Sequence, residues 1–489
     1  MERAHPQQNS RSEPPVIVLG AGPAGLSAAK YLAEHGVPVT VLEQEHQAGG
    51  LSRTVEHRGY RFDIGGHRFF SKSEQVNKMW REALGPDLLR RPRQSRIAYN
   101  SHFFEYPLAP MDCVSKLGLR ESLRCIGSYL EARRRPVLPE NNLENWLVNR
   151  FGSRLFHIFF RTYTEKVWGI PCRDISAEWG AQRIQALNLG VAIKHALLPK
   201  RVNGNGSQPK SLIGEFLYPR LGPGMMWERV ASQIRDLGGQ ILYGQKVDRV
   251  HLSRGRVQGV ECGGRTYPGR GFISTMALRD FLQACDPIPD YLAAGVDCFH
   301  YRDFITVAVI VRKRDIFPDN WIYLHDPAVR AGRIQNYKNW SPEMVPDAET
   351  TCLGLEYFCT ERDGLWNCPD EELTAIAIKD LLHLRFADRE QVMDARVVRV
   401  PKAYPVYNGS HHRGQNLVRR LLNQTSNLQF AGRNGLHRYN NQDHAMITGI
   451  LAARNICGET HDVWAVNADA QYLEEYAAPR MSEAAQALA

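Results

Sequence analysis

No Cys-x-x-Cys pair occurs among the ten cysteines of this chain, at 113, 125, 172, 262, 285, 298, 352, 359, 368 and 457. The absence argues against a zinc ribbon or a dithiol redox motif, and no metal site is expected. Scattered single thiols fit a reducing compartment, so a cytoplasmic protein is expected. No apolar run approaches the roughly 20 residues a membrane span needs, so no transmembrane segment is expected. Residues 1–14, MERAHPQQNSRSEP, lack the apolar core of a secretory signal and read as a disordered tail. No basic segment is interleaved with aromatics, so nucleic acid is not an expected partner. The densest basic run, EARRRP at 131–136, reads as a solvated helix end. No internal repeat is visible.

What is present is a large apolar content and a modest positive excess. With 489 residues, 43% of them apolar, the chain exceeds one ordinary core, and two or more domains are expected. The net charge of +9, from 61 Lys+Arg against 52 Asp+Glu, suits an anionic cofactor or substrate. VIVLGAGPAGLSAAKYLAEHGVPVTVLEQ reads as strand 16–19, helix 23–35 stopped by Gly36, and strand 37–42. Most of 105–200 has helical spacing with many aromatics. Polar, Gly-rich 202–209 reads as a loop. A helix is expected over 225–238. Short strands follow in QILYG, VDRVHL, RVQGVEC and RGFISTM, then in FITVAVIVR, NWIYLHD and CLGLEYFC. A helix near 370–385, the strand LQFAG and the helix QDHAMITGILAARNI close the pattern.

Gly20-x-Gly22-x-x-Gly25 lies between a strand and a helix, and each glycine has a task. Gly20 permits the tight turn, Gly22 lets backbone approach a pyrophosphate, and Gly25 lets helix and strand pack closely. The helix N-terminus offers its N–H groups and positive dipole end to phosphates. Glu43 ends the second strand, where a carboxylate can accept hydrogen bonds from ribose hydroxyls and repel a 2′-phosphate, which disfavours NADP.

QEHQAGGLSRT and GYRFDIGGHRFF follow, and with Val247 in GQKVDRV and LQFAGRNGLHRYNNQDHAMITGILAARNI they resemble the amine oxidase and protoporphyrinogen oxidase superfamily. The resemblance implies FAD, a discontinuous Rossmann-like α/β FAD-binding domain, a helical insertion and a mixed or antiparallel-sheet substrate domain. It places Gly20, Gly22, Ala24, Gly25, Glu43, Gly49, Gly50, Leu51, Arg53, Gly65, Gly66, His67, Val247, Gly432, Arg433, Gln442 and Met446 at the cofactor. The expected division is an FAD-binding domain at 15–100, 215–280 and 425–460. A helical substrate domain spans 101–214, a β-rich domain 281–424, and a helical tail 461–489.

GGHRFFS at 65–71, EKVWGIPCRDISAEWGAQRI at 165–184, FLYPRLGPGMMWERV at 216–230 and YNNQDHAM at 439–446 resemble UDP-galactopyranose mutases in order and over nearly the whole chain. In those enzymes reduced flavin N5 attacks the anomeric carbon, diphosphate leaves, and the sugar recloses as a furanose. The resemblance implies Arg183 and Arg312 as the cations for the diphosphate, since a guanidinium grips phosphate oxygens in bidentate fashion. It implies His67 near flavin N5, and Tyr404, Tyr439 and Asn441 near diphosphate and sugar. Two departures leave the nucleotide open: Tyr106-Pro107 is followed by Leu108-Ala109-Pro110 rather than by uracil-holding residues, and His437 stands where the mutases carry tryptophan. Two catalytic readings remain. One is a mutase-type isomerase of a nucleotide- or lipid-diphosphate sugar, with NAD(P)H as an external reductant. The other is an FAD-dependent oxidoreductase of the amine oxidase, protoporphyrinogen oxidase or desaturase type. A non-catalytic flavin binder is the third reading, and a homo-oligomer is open.

Overall fold

The computed structural model describes residues 13–106, 108–177, 214–407 and 409–466. The four apolar residues Val16–Leu19 are wholly buried at the centre of a five-stranded parallel sheet. Its order is Leu428–Phe430, Gly271–Ser274, Val16–Leu19, Val39–Leu42, Gln240–Leu242. Val16 pairs in parallel with both Gly271 and Val39. Continuous apolar strands are what a parallel sheet covered on both faces demands, so alternation is absent here. The strands come from three distant stretches of the chain, as the resemblance implied.

Helix Pro23–Glu34 starts with proline in its first turn, where the missing N–H costs nothing. Helix Gln442–Ile456 packs against it at backbone distance. A Cβ on Gly449 would stand 2.0 Å from the Ala24 carbonyl oxygen, so only glycine permits this approach. Helix Pro223–Asp236 packs on the same first helix.

The second large sheet has seven strands in the order Val392–Val406, His300–Val311, Thr351–Cys359, Arg333–Asn336, Trp321–Leu324, Ser95–Tyr99, His102–Glu105. It is mixed: Trp321–Leu324 and Ser95–Tyr99 run parallel, and the other pairs are antiparallel. The expected boundary at 100 therefore falls inside this sheet, and both Ser95–Tyr99 and His102–Glu105 belong to the β-rich layer. The boundaries at 280 and 424 also move. Cys285–Asp286 joins a four-stranded sheet with Arg249–Ser253, Arg256–Cys262 and Arg265–Pro268, and helix His411–Gln424 buries Val418 and Leu421 in the core of the nucleotide-binding layer.

Helices Pro110–Leu117, Leu119–Arg134, Leu143–Phe151 and Thr162–Trp168 make the helical part. Lys166 fastens it to the seven-stranded sheet. Its ammonium donates to the carbonyls of Leu324 at 2.9 Å and Asp326 at 2.7 Å. Burial lowers this lysine to about 8. Of the expected helical tail, Val463–Ala465 forms a short 3₁₀ turn, and 467–489 lie outside the described residues. Among the described residues no helix is long and apolar enough to cross a membrane, and no group of three metal-ligating side chains forms.

Candidate active site

The first turn of the nucleotide-binding layer has the geometry its glycines require. Gly20 adopts φ +105°. A Cβ on Gly25 would stand 1.9 Å from the Gly20 carbonyl oxygen, so helix and turn touch directly. A Cβ on Gly22 would meet only the Gly50 Cα, at 3.8 Å, and one on Gly50 would stand 3.1 Å from the Gly22 Cα, so the two glycine turns meet backbone to backbone. Gly49 N donates to the Ala21 carbonyl at 2.8 Å. Arg53 donates to the Gly50 carbonyl at 3.0 Å. Glu43 is buried and accepts from Ala21 N at 2.6 Å and from Glu45 N at 2.9 Å. Burial raises its carboxyl above the usual carboxylate range, against these two backbone donors. Its carboxylate therefore orients the glycine turn and ends the second strand where a ribose would lie. Val247 lies in the bend before Arg249–Ser253, close to Gln245, whose N–H donates to the Glu43 carbonyl at 2.8 Å.

A second loop leaves strand Tyr60–Asp63 as Gly65-Gly66-His67. Asp63 anchors it. Its carboxyl accepts from Tyr218 Oη at 2.5 Å and Thr54 Oγ1 at 2.9 Å, and its carbonyl accepts from Tyr337 Oη at 2.8 Å. Burial pushes this carboxyl up to about 7, although both hydroxyl bonds favour the charged form. Gly65, at φ +140°, lets His67 fold back so that its Cε1 would lie 3.1 Å from a Cβ placed there. Burial, then the charges of Arg433 and Arg333, lower His67 to about 3, so the ring is neutral at pH 7. His67 Nδ1 is buried without a hydrogen-bond partner among the described residues, and so is Gln442 Nε2. Orphaned polar groups of this kind, one on the Gly65-Gly66-His67 loop and one in the first turn of helix Gln442–Ile456, fit a polar ring system such as a flavin's.

Beside this loop stands an arginine that the sequence patterns did not reveal. Arg333 and Glu356 face each other across adjacent strands. Glu356 is fully buried. It accepts from Arg333 Nε at 2.8 Å and Nη2 at 2.5 Å, and Gln335 holds its other oxygen. Burial, the largest single influence, works against the Arg333 charge, but Glu356 together with Tyr404, Tyr163 and Tyr323 outweighs it and holds the guanidinium well above its ordinary value. Nη1 is the edge turned to the loop, 3.5 Å from a Cβ placed on Gly66. Tyr163, Tyr323 and Tyr404 surround the group closely enough to share its field. Tyr163 stacks on His325, with centroids 4.8 Å apart, and meets Tyr323 edge-on at 5.4 Å. Arg93 lies 5.6 Å from the Tyr106 ring centre and 5.7 Å from that of Trp321, with Arg68 5.8 Å from the latter. Burial and Arg68 lower Arg93.

Arg312, expected as a diphosphate cation, is not part of this cluster. It is exposed and follows strand His300–Val311, ten residues beyond Arg302, which pairs with Tyr404. At about 3.3 Å per residue it stands roughly 30 Å along the strand from that pair. Arg183 lies outside the described residues.

Tyr404 and Tyr439 are parallel, with centroids 6.0 Å apart and planes 9° from each other. Arg433 lies 5.5 Å and 4.7 Å from the two ring centres and donates to the carbonyls of Ala403 at 2.9 Å and Asn440 at 2.9 and 3.1 Å. Gly432 N donates to Thr448 Oγ1 at 3.0 Å. The Asn441 side chain, expected at the sugar, instead caps helix Gln442–Ile456 in a reciprocal box with His444. Met446, expected at the cofactor, accepts from Trp80 Nε1 at 3.2 Å and packs in the core, while Gln442 Oε1 accepts from Trp227 Nε1 at 3.2 Å. Leu51 packs with Ile64, Phe304, Val400 and Ala403, so the first glycine loop rests on the seven-stranded sheet.

Comparison with known proteins places this geometry. Segments of the chain match an inactive all-trans-retinol 13,14-reductase of Danio rerio, 54% identical over 50 residues, which is 10% of this chain and 8% of that protein. They also match a mitochondrial protoporphyrinogen oxidase of Nicotiana tabacum, 32% identical over 133 residues, 26% of this chain and 25% of that protein. These matches span a small part of each relative. The fold is similar over nearly full length to that of a reduced UDP-galactopyranose mutase, with TM-score 0.81, 22% identity, and 94% and 98% of the two chains covered. It is also similar to that of a putrescine oxidase bound to putrescine, with TM-score 0.61, 15% identity, and 92% and 100% covered. A family model described as flavin containing amine oxidoreductase matches residues 23–457, a family that implies FAD. With the glycine cradle in place and that match spanning most of its length, the chain belongs to the flavin-containing amine oxidoreductase family and is a flavoenzyme.

Proposed function

We propose that this flavoenzyme isomerises a sugar carried on a nucleoside or lipid diphosphate, pyranose to furanose, with its flavin reduced. Bound reduced flavin would supply a nucleophilic ring nitrogen for the anomeric carbon. The chain's own residues supply the rest. Arg333 is the proposed diphosphate cation, and Glu356 fixes its fork so that Nη1 faces Gly66. A guanidinium held this way needs no reorganisation as charge builds on a departing diphosphate. Arg183 is proposed as the second cation. Tyr163, Tyr323 and Tyr404 exclude water around Arg333, which strengthens its field. Neutral His67 offers a hydrogen bond rather than a charge. Arg433, bonded to two backbone carbonyls, is a positioning residue for Tyr404 and Tyr439.

The observation that carries the reading is the Arg333–Glu356 pair, its carboxylate fully buried and its guanidinium largely so, beside the Gly65-Gly66-His67 loop. Removing such a pair from water costs several kcal/mol per ion, an expense that an apolar substrate would not reward. The oxidoreductase reading draws on the parallel Tyr404 and Tyr439 rings, which resemble a cage for an amine. Arg433 already supplies the cation that such rings attract.

The test is to incubate dithionite-reduced enzyme with UDP-, GDP- and dTDP-hexoses and separate the products by chromatography. Ring-contracted product over many turnovers, with none from oxidised enzyme, is expected. Failure to form it, together with stoichiometric bleaching of oxidised flavin by an amine or isoprenoid, would assign net redox chemistry instead.

A further inference from the structure

Helix Leu119–Arg134 is packed inside out. The side chains it buries are small: Ser122, Cys125 and Ala132. Its large apolar side chains face solvent, with Leu119 71% exposed, Leu123 59%, Ile126 47% and Leu130 50%. At 100° per residue these four fall within an arc of about 60°. The preceding helix adds Met111 at 70% and Val114 at 38%, and the following turn adds Val137 and Leu138. Of the twelve exposed large apolar residues among those described, eight fall between 111 and 138. Scattered exposed leucines need no explanation, but a contiguous stripe does.

The charges around the stripe indicate what covers it. Lys116 pairs with Asp112, and Arg124 and Arg154 share Glu121. Beyond these, Arg120, Arg133, Arg134 and Arg135 are exposed along the stripe and at its end, against one further exposed carboxylate, Glu131. An antiparallel twofold contact between copies centred here would bring Arg120 of one copy toward Arg133, Arg134 and Arg135 of the other, like charge against like. An anionic surface would instead meet them with opposite charge. An exposed apolar stripe flanked by arginines whose stems can lie along it is the pattern of a helix lying in a membrane interface.

We infer that helix Leu119–Arg134 docks this protein on the surface of an anionic lipid bilayer, with Leu119, Leu123, Ile126 and Leu130 in the headgroup–acyl boundary. The inference is independent of the chemistry proposed above. It concerns where the enzyme works rather than which bond it breaks.

Flotation of the full-length FAD-loaded protein tests it. Vesicles of phosphatidylcholine with roughly a third phosphatidylglycerol should carry the protein, pure phosphatidylcholine much less, and about 0.5 M salt should weaken the binding. Leu123→Glu with Leu130→Glu should abolish flotation while flavin content and far-UV circular dichroism stay unchanged. A second variant avoids the packed helix body: Arg133, Arg134 and Arg135 all changed to Gln. Each arginine contributes roughly fivefold near an anionic surface, so this variant should bind on the order of 100-fold more weakly. Three results would overturn the inference. The first is a wild type that floats with neither vesicle. The second is flotation unaffected by both variants. The third is a wild-type dimer, seen by light scattering, that the glutamate variant turns into a monomer, which would make the stripe a contact between copies.

Discussion

Asp63→Asn isolates the energetic consequence of burying one carboxyl beneath the Gly65-Gly66-His67 loop. Burial raises Asp63 from its ordinary 3.8 to about 7, with Tyr218 and Thr54 pulling the other way. Between those two values the folded protein holds a proton that the unfolded chain has released. Stability from this group is therefore fully present below about pH 4, falls as pH rises, and is lost once pH passes about 7. At about 1.4 kcal/mol per pH unit the whole excursion is about 4 kcal/mol, and about 3 kcal/mol of it lies between pH 5 and 8. Asparagine has nearly the shape of the protonated acid and can still meet both hydroxyls, but it cannot ionise. Urea unfolding of holoenzyme, followed by tryptophan fluorescence, should therefore show the variant gaining about 3 kcal/mol on wild type between pH 5 and pH 8. A difference between the two proteins that does not change with pH would refute the reasoning. So would one that changes in the opposite sense, since it would mean that Asp63 is a stabilising anion.

Gly25→Ala should destroy FAD binding, because its methyl would sit 1.9 Å from a backbone oxygen that cannot retreat without separating helix from strand; visible flavin absorbance relative to protein is the readout. Arg333→Ala should destabilise the fold by about 3–5 kcal/mol by leaving Glu356 buried without its cation, and Arg333→Lys should recover part of that loss but not nucleoside diphosphate affinity, measured by calorimetry. His67, held down to about 3, should contribute no titration step to flavin reduction across roughly pH 5–8, so the pH profile of the reduction rate should have the same inflections in His67→Gln as in wild type.

The nucleotide-binding layer was legible because each local signal agreed with the others. Apolar strand, glycine turn, helix and carboxylate-ended strand follow in the required order, and the structure has them at Val16–Leu19, Pro23–Glu34 and Val39–Leu42. Much of the seven-stranded sheet was less legible, for two physical reasons. Strand Val392–Val406 is an edge strand, paired only with His300–Val311. Strongly apolar residues survive in VMDARVVRVPKAYPV only as short pieces, Val392–Met393, Val397–Val398, Val400 and Val406, because one flank of an edge strand faces water and tolerates charge. The hairpin of Ser95–Tyr99 and His102–Glu105 turns through Asn100 and Ser101, both at positive φ. Such turns are announced by Asn-Gly or Asp-Gly, and serine in the second place removes the cue.

The site shows the same limit more sharply. Arg312 was expected from resemblance alone, and it follows the end of strand His300–Val311, where the strand's direction carries a residue furthest from the middle of the sheet. The signal that pointed elsewhere was Glu356, a lone carboxylate inside the apolar run CLGLEYFC. A charge buried in such a run requires a partner. That partner comes from another strand, so only the register identifies it. Arg333 lies directly opposite Glu356, with Thr306 on the other side. A slip of one residue would turn Arg333 to the opposite face and leave the carboxylate unpaired. The sheet that supplies this cation is also the one on which the first glycine loop rests, through Leu51 against Phe304, Val400 and Ala403. Flavin loop and proposed substrate cation are thus positioned by one packed contact between two layers. A cavity made there, as by Leu51→Ala, would disturb both binding functions together, whereas Arg333→Lys, which keeps a cation beside Glu356 but loses the fork, would act chiefly on the second.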